Sequence, residues 1–269
     1  MNALSLDMAA AEALFTFWSD AGVDACFGEE PVDRTVFVAP TASRGPATVT
    51  PLRASGAAPS AGEAAAEARR LAAAATTLDE LAEAVAGFEG CPLRAMGARQ
   101  AVFARGNPQG SLMVIGEGPG AEEDARGQPF VGKAGQLLDR ILTAAGLLDV
   151  AFITNTVFWR PPGNRTPTPQ EQAACAPFVE RTLALLQPKA VLLVGAAAAK
   201  AVLKTDDGIM RTRGQWREWR LSEGGIVAPV MPTLHPAFLL RQPQAKGLVW
   251  KDILELSARL RGEVVEPDA

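Results

Sequence analysis

A three-layer α/β/α fold around a central four-stranded parallel sheet is what this sequence predicts, and two observations carry the prediction. Four short apolar runs, SLMVIG (111–116), AFITNT (151–156), AVLLVG (190–195) and VAPVMPTL (227–234), are separated by segments of helical character, AGQLLDRILTAAG, QEQAACAPFVERTLALL and AAAAKAVL. Short β-rich runs alternating with helical ones imply a parallel sheet covered on both faces. The chemistry-bearing residues also gather at one end of those strands: Glu117 follows the first run, Asn155 ends the second and His235 follows the fourth. Open parallel sheets bind ligands beyond the carboxyl ends of their strands, so these residues point to a single site.

Taken in order, residues 1–34 read as an N-terminal helical segment. Leu14, Phe17, Trp18 and Ala21 recur at helical spacing over 7–21, and Gly22 stops the helix. Residues 35–62, rich in Ala, Pro, Ser and Gly without a repeated apolar face, read as a flexible linker. Helix returns from residue 63, and Thr77 with Glu80 matches a capping box that opens a second segment near Leu78, ended by Gly87 and Gly90. The span 63–262 is assigned as the main domain and 263–269 as an acidic tail.

At 269 residues with 48% hydrophobic content, the chain can bury a substantial core. No uninterrupted apolar stretch reaches eighteen residues and no leader pattern opens the chain, so a cytoplasmic location is expected. Three scattered cysteines, Cys26, Cys91 and Cys175, suit a reducing compartment as plain thiols. The net charge of −4 hides an asymmetry. Residues 1–90 hold 13 acidic and 5 basic side chains, whereas residues 91–262 hold 21 basic and 14 acidic. Such contrast points to polyanion binding by the basic part, a reading that charge alone leaves level with ordinary surface variation.

The stretch GEGPGAEEDARGQPFVGKAGQLL (116–138) sets acid among glycines directly after a strand. GEGPGA fits the dinucleotide fingerprint, but the second strand offers no acidic residue for a ribose, and Glu122, Glu123 and Asp124 would repel a pyrophosphate. A Walker lysine is also missing, because Lys133 is followed by Ala134. His235, the only histidine, lies in TLHPAFLLRQP, held extended before Pro236 and followed by Leu239, Leu240 and Arg241. A polar reader, an apolar wedge and a phosphate ligand suit an enzyme that opens a nucleic-acid stack; a short helix packing both leucines inward is the bland alternative. The amide of Asn155 can pair with a base edge or merely form a turn. The loop RPPGNRTPTPQE carries Arg160 and Arg165 towards phosphates, or is a rigid connection in which Thr168 caps the next helix. Phe130, between glycine turns, offers a stacking face to a flat ligand.

Together, VIGEGPGAEEDARGQPFVGKAGQLLD, ITNTVFWRPPGNRTPTPQE, PKAVLLVGAAA and TLHPAFLLR, with FARGNPQG upstream, resemble the uracil-DNA glycosylase superfamily, and most closely its family 4, over roughly residues 88–260. The resemblance implies removal of uracil from DNA as part of base excision repair. It implies that Glu117 activates water and stabilises the sugar cation, with Glu123 in support. Phe130 and the loop at Gly118 would receive the flipped base, Asn155 would read its edge and His235 would hydrogen-bond uracil O2. Leu239, Leu240 and Arg241 would form the loop that enters the duplex, and Arg160 and Arg165 are the DNA-contact candidates of the proline-rich loop. Family 4 typically holds a [4Fe–4S] cluster on four cysteines; only Cys91 and Cys175 match, the other positions being Phe88 and Trp159. Neither aromatic can replace a thiolate, so no cluster, no metal and no other cofactor is expected.

The chemistry is consistent with that assignment. Cleaving an N-glycosidic bond develops positive charge on the sugar and negative charge on the base, so a carboxylate and a hydrogen-bond donor are wanted on opposite sides of one bond. A damage-sensing DNA-binding protein without turnover, a glycosylase of broader deaminated-base range and a nicotinamide enzyme are the competing readings. The expected partner is uracil-containing DNA, with no membrane, and the protein is expected to be a monomer.

Overall fold

A computed structural model of the chain describes residues 61–221 and 227–263. The chain divides into two compact units, Met1–Arg53 and Ala54–Ala269, and the described residues all belong to the second. The helix expected at 7–21 and nearly all of the linker expected at 35–62 lie outside the described residues, as does the tail from 264 onwards.

The elements, in chain order, begin with α1 (Ala61–Ala74), α2 (Leu78–Gly87), α3 (Pro92–Ala95), β1 (Ala104–Gly106) and β2 (Leu112–Gly116). They continue with α4 (Ala121–Arg126), α5 (Lys133–Ala144), β3 (Ala151–Asn155), α6 (Pro169–Leu186), β4 (Ala190–Val194), α7 (Ala196–Leu203) and α8 (Ile209–Thr212). The last are β5 (Arg217–Arg220), β6 (Val227–Thr233), α9 (Pro236–Arg241) and α10 (Lys246–Leu260). The sheet runs β1-β3-β2-β4-β6-β5. Its four inner strands are parallel and are the four runs expected from the sequence, whereas β1 and β5 add an antiparallel edge on each side. The expected four-stranded sheet is thus the centre of a six-stranded one.

Alternation along the inner strands builds two cores. Met113, Ile115, Phe152, Val191, Leu193 and Val230 face one, while Leu112, Val114, Ile153, Leu192, Val194 and Met231 face the other. Side chains alternate with period two, so a strand apolar at every position must be covered on both faces. Helices α1, α2 and α6 supply the first cover, and α5, α9 and α10 the second. Pro232 sits on β6 beyond the stretch paired with β5, where its missing N–H costs no ladder bond; its carbonyl accepts from Gly214 N instead.

Helix starts follow the capping chemistry. Thr77 accepts from Glu80 N at 3.1 Å, although the Glu80 carboxylate returns to the Thr76 N–H and hydroxyl rather than to Thr77. Thr168 and Glu171 form a complete capping box on α6, with Pro169 at its first position. In the first core, Phe88, Trp159, Phe158 and Phe178 pack ring against ring, the Phe88–Trp159 and Phe88–Phe178 centroids lying 6.4 and 5.2 Å apart. Cys91 and Cys175 are buried in the same core, with their sulfurs 3.8 Å apart.

Candidate active site

In the sheet order, the chain passes from β2 to β3 on one side and then crosses to β4 on the other, which opens a crevice at the carboxyl end of β2. Glu117 stands directly after that end. The register places Gly116 beside Asn155, so the two strand ends present Glu117 and Asn155 as neighbours. An open cavity of about 610 Å³ lies there, lined by Glu117, Gly118, Glu123, Phe130, Asn155 and His235 among others. The residues expected at one site from three separate motifs therefore share one space.

Asn155 is 1% exposed, and both atoms of its amide, Oδ1 and Nδ2, lack a hydrogen-bond partner within the protein; no other buried side-chain polar atom among the described residues shares that condition. Leaving a buried donor or acceptor unmade costs about 1–3 kcal/mol, so folding alone does not favour an asparagine here. The amide is free to pair with a ligand that offers one donor and one acceptor side by side.

Phe130 closes one wall. Its φ of 55° lies in the left-handed region, which for a bulky residue costs about 1–3 kcal/mol and must be imposed by its surroundings. Its ring stacks on His235 at 5.8 Å between centroids and 29° between planes. Gly116 permits this placement, since a Cβ there would come within 2.3 Å of the Phe130 ring and 2.6 Å of Asn155 Oδ1. The three acids of the loop divide their work. Glu123 accepts from Gly120 N, Val131 N and Gly132 N at 2.9–3.1 Å, tying the Glu117 loop to the Phe130 loop. Asp124 accepts from Arg99 N, and Glu122 pairs with Arg126.

His235 is extended before Pro236, with φ −70° and ψ 137°, and its Nδ1 accepts from Ala237 N at 3.1 Å. With Nδ1 occupied as an acceptor, the neutral ring carries its proton on Nε2. Burial is the main reason its pKa falls to about 4; the positive charge of Arg241 adds to the fall and Glu123 opposes it. The imidazole is therefore a neutral donor at physiological pH. Gly195 at the end of β4, with φ 98°, lets the ring approach: a Cβ there would stand 3.0 Å from His235 Cβ. A less visible contact secures the carboxylate. The Thr156 hydroxyl donates to the Glu117 carbonyl at 2.6 Å, fixing the backbone from which Glu117 projects.

The expected DNA-contacting residues divide. Leu240 is 45% exposed and Arg241 is exposed and lines the cavity. Leu239 is 0% exposed and belongs to the second core, which corrects its assignment as a wedge: adjacent residues of a helix point about 100° apart, so one faces in when the other faces out. The Arg165 guanidinium is bidentate on the buried Glu171 carboxylate at 2.9 and 2.6 Å, which braces the loop, and the residue also lines the cavity. Arg160 donates to Asn164 Oδ1 at 2.7 Å across the same loop. Sequence patterns missed Thr156, Gly116 and Gly195, whose roles are contacts with distant backbone or rings; the only local signal was their place at strand ends.

Comparison with known proteins falls on the same region. Residues 103–254 match the family described as the uracil DNA glycosylase superfamily. The chain is 36% identical over 182 residues to the type-4 uracil-DNA glycosylase of Pyrobaculum aerophilum, covering 65% of this chain and 91% of that one. It is 36% identical over 193 residues to the type-4 enzyme of Thermotoga maritima, covering 69% and 96%. A type-5 uracil-DNA glycosylase of Thermus thermophilus is 34% identical over 114 residues, covering 36% of this chain and 52% of that enzyme.

Proposed function

We propose that this chain, which belongs to the uracil-DNA glycosylase superfamily, flips uracil out of DNA and hydrolyses its N-glycosidic bond, leaving an abasic site for base excision repair. The observation that carries the reading is the unpaired Asn155 amide, buried in a cavity it shares with Glu117, Phe130 and His235. Uracil offers what that amide lacks: the N3–H donates to Oδ1 and O4 accepts from Nδ2. Cytosine presents the opposite pattern on those two atoms, so discrimination between the two bases follows from the orientation in which the pocket holds the Asn155 amide.

In this mechanism the extruded base lies on Phe130 and is read by Asn155. The bond between C1′ and N1 breaks with its electron pair leaving on the base, and His235 Nε2–H donates to uracil O2 as that charge develops. Glu117 faces the electron-poor sugar, orients the attacking water and takes its proton as the new C1′–O bond forms. Gly118 lets the loop backbone approach the nucleotide, and Glu123 holds that loop in register. Leu240 enters the duplex where the base has left, with Arg241 and Arg160 on phosphates.

The residues at the family's cluster position do not fit a four-thiolate group. Two sulfurs touch at 3.8 Å, and the remaining positions are the rings of Phe88 and Trp159, each 2% exposed. Burial pushes the Cys175 thiol well above its ordinary value, which keeps it protonated. The aromatic packing fills this volume in place of a cluster, and no step of the reaction passes through one. Protein purified without oxygen is expected to carry no stoichiometric iron.

Among the described residues no helix is long and apolar enough to cross a membrane. We assign residues 63–262 as the catalytic domain acting as a monomer, with 1–34 and the linker 35–62 as an appended segment. The test is direct: purified protein is incubated with an oligonucleotide containing one uracil, treated with alkali and resolved by length. Strand scission at the uracil is expected, and its absence across salt and pH refutes the reading. Retention of the uracil strand without release of free base indicates a damage sensor instead.

A further inference from the structure

We infer that Arg105, on the edge strand β1, is a positioning residue that holds the Phe130 stacking face in place, an assignment that rests on the proposed function. Strand β1 runs antiparallel to β3, with Arg105, in the FARGNPQG stretch, opposite Ile153 and outside the cavity lining. Its side chain nonetheless reaches the site loop. Nε donates to the Pro129 carbonyl at 2.7 Å, and Nη2 donates to the Phe130 carbonyl at 3.1 Å and to Asp139 Oδ1 at 2.6 Å. The guanidinium is 18% exposed, and Asp139 on α5 fixes its orientation from the far side.

Those contacts meet the point where the chain is most strained. Phe130 is left-handed, and its carbonyl turns towards α5, where a Cβ on Gly135 would lie 1.7 Å from its oxygen. Two consecutive carbonyls, Pro129 and Phe130, thus call for donors. Arg105 supplies both from one planar fork, while the Glu123 carboxylate takes the next two amides, Val131 and Gly132, from the opposite side. The four bonds clamp the peptides on either side of the ring, so the ring direction follows from the backbone. A lysine at 105 would present a single ammonium on a flexible stem and could not hold both carbonyls and Asp139 in one plane.

The clamp acts on a face that the base touches before and during bond cleavage alike. Its loss should therefore weaken binding of the extruded base and of free uracil by a similar factor, with little change in the chemical step. Such uniform binding separates Arg105 from Glu117, whose role belongs to the transition state.

The experiment compares wild type, R105M, R105K, F130A and the R105M/F130A double variant. Hydrogen exchange at Val131 and Gly132 is read first, since it reports the clamp without turnover. Exchange there is expected to rise at least about tenfold in R105M and R105K, with β2 and β3 amides unchanged as the check on folding. KM and the inhibition constant for free uracil should each rise about five- to tenfold, kcat should stay within about twofold, and R105M should add less than about twofold to F130A. Unchanged exchange overturns the inference, as does faster exchange with an unaltered uracil constant, or full additivity with F130A. Wild-type protein that leaves uracil in DNA refutes the proposed function instead, and the exchange result still decides for or against the clamp.

Discussion

Replacing Asn155 with leucine is expected to make this protein more stable and inactive at once. The magnitude follows from the two orphaned amide atoms, each of which costs about 1–3 kcal/mol when buried without a partner. Leucine is close to asparagine in shape and removes both costs, but the tight contacts around position 155 return part of the gain as strain of about 1–3 kcal/mol. A net stabilisation of about 2 kcal/mol remains, which for a domain of this size raises Tm by about 4–8 °C. Activity moves the other way. Losing two buried hydrogen bonds to the base, about 2–4 kcal/mol, lowers kcat/KM by about 30- to 1000-fold. Thermal unfolding with and without free uracil, beside the alkali-scission assay, measures both arms. Free uracil should raise the Tm of the wild type and leave N155L unmoved. An N155L protein less stable than wild type would show that the amide is satisfied in the free protein, and the argument for a base-reading role would fall.

Four further outcomes are expected. Glu117→Gln should lower kcat by at least about 10²-fold while KM stays within a few-fold, measured by single-turnover release of base. His235 is neutral in the folded protein down to about pH 4 but takes a proton near 6.5 when unfolded, so stability is intact above 6.5 and falls as pH drops. The loss attributable to this group is about 2.5 kcal/mol by pH 4.5, and urea unfolding of His235→Gln should show a correspondingly smaller decline over that window. Leu239→Ala should cost about 2–5 kcal/mol of stability, whereas Leu240→Ala should change it by less than about 0.5 kcal/mol and slow excision from duplex more than from single strands. Trp159→Ala should cost about 3–5 kcal/mol by denaturant unfolding, because it empties the centre of the aromatic packing around Phe88 and Phe158.

The sequence made the inner sheet legible for a physical reason: strands covered on both faces are apolar along most of their length, so β2, β3, β4 and β6 stand out as apolar runs. The edge strands do not. ARG at 104–106 and REWR at 217–220 are short and charged, and they are strands only because a neighbour offers them a ladder. The site shows the same division. Glu117, Asn155 and His235 are polar residues at the ends of apolar runs, where local pattern and topology agree. Arg165 is legible as a basic loop residue, but its pairing with the buried Glu171 follows from the fold of the loop and not from any local pattern. The leucine pair misleads because helical geometry admits only one of two neighbours to the surface.

What the pattern could not reveal is the mechanical support. The proposed site residues are fixed in two ways: Glu117 and Asn155 through their backbones, by the Thr156 hydroxyl and the register with Gly116, and His235 through its ring, by the Ala237 amide on Nδ1. Phe130 needs the most, since its left-handed backbone requires bonds on both sides. Local rules are broken at two cavity residues, an unpaired buried amide and a strained aromatic, and both breaks face the same space. A site that stores unsatisfied polarity and strain on a rigid sheet end resembles a binding surface completed by its ligand. Under the proposed function the extruded base is that partner. Its arrival would pair the Asn155 amide beside the Phe130 ring without any rearrangement of the strands, so the hydrogen-exchange pattern of β2 and β3 should be the same with and without bound uracil.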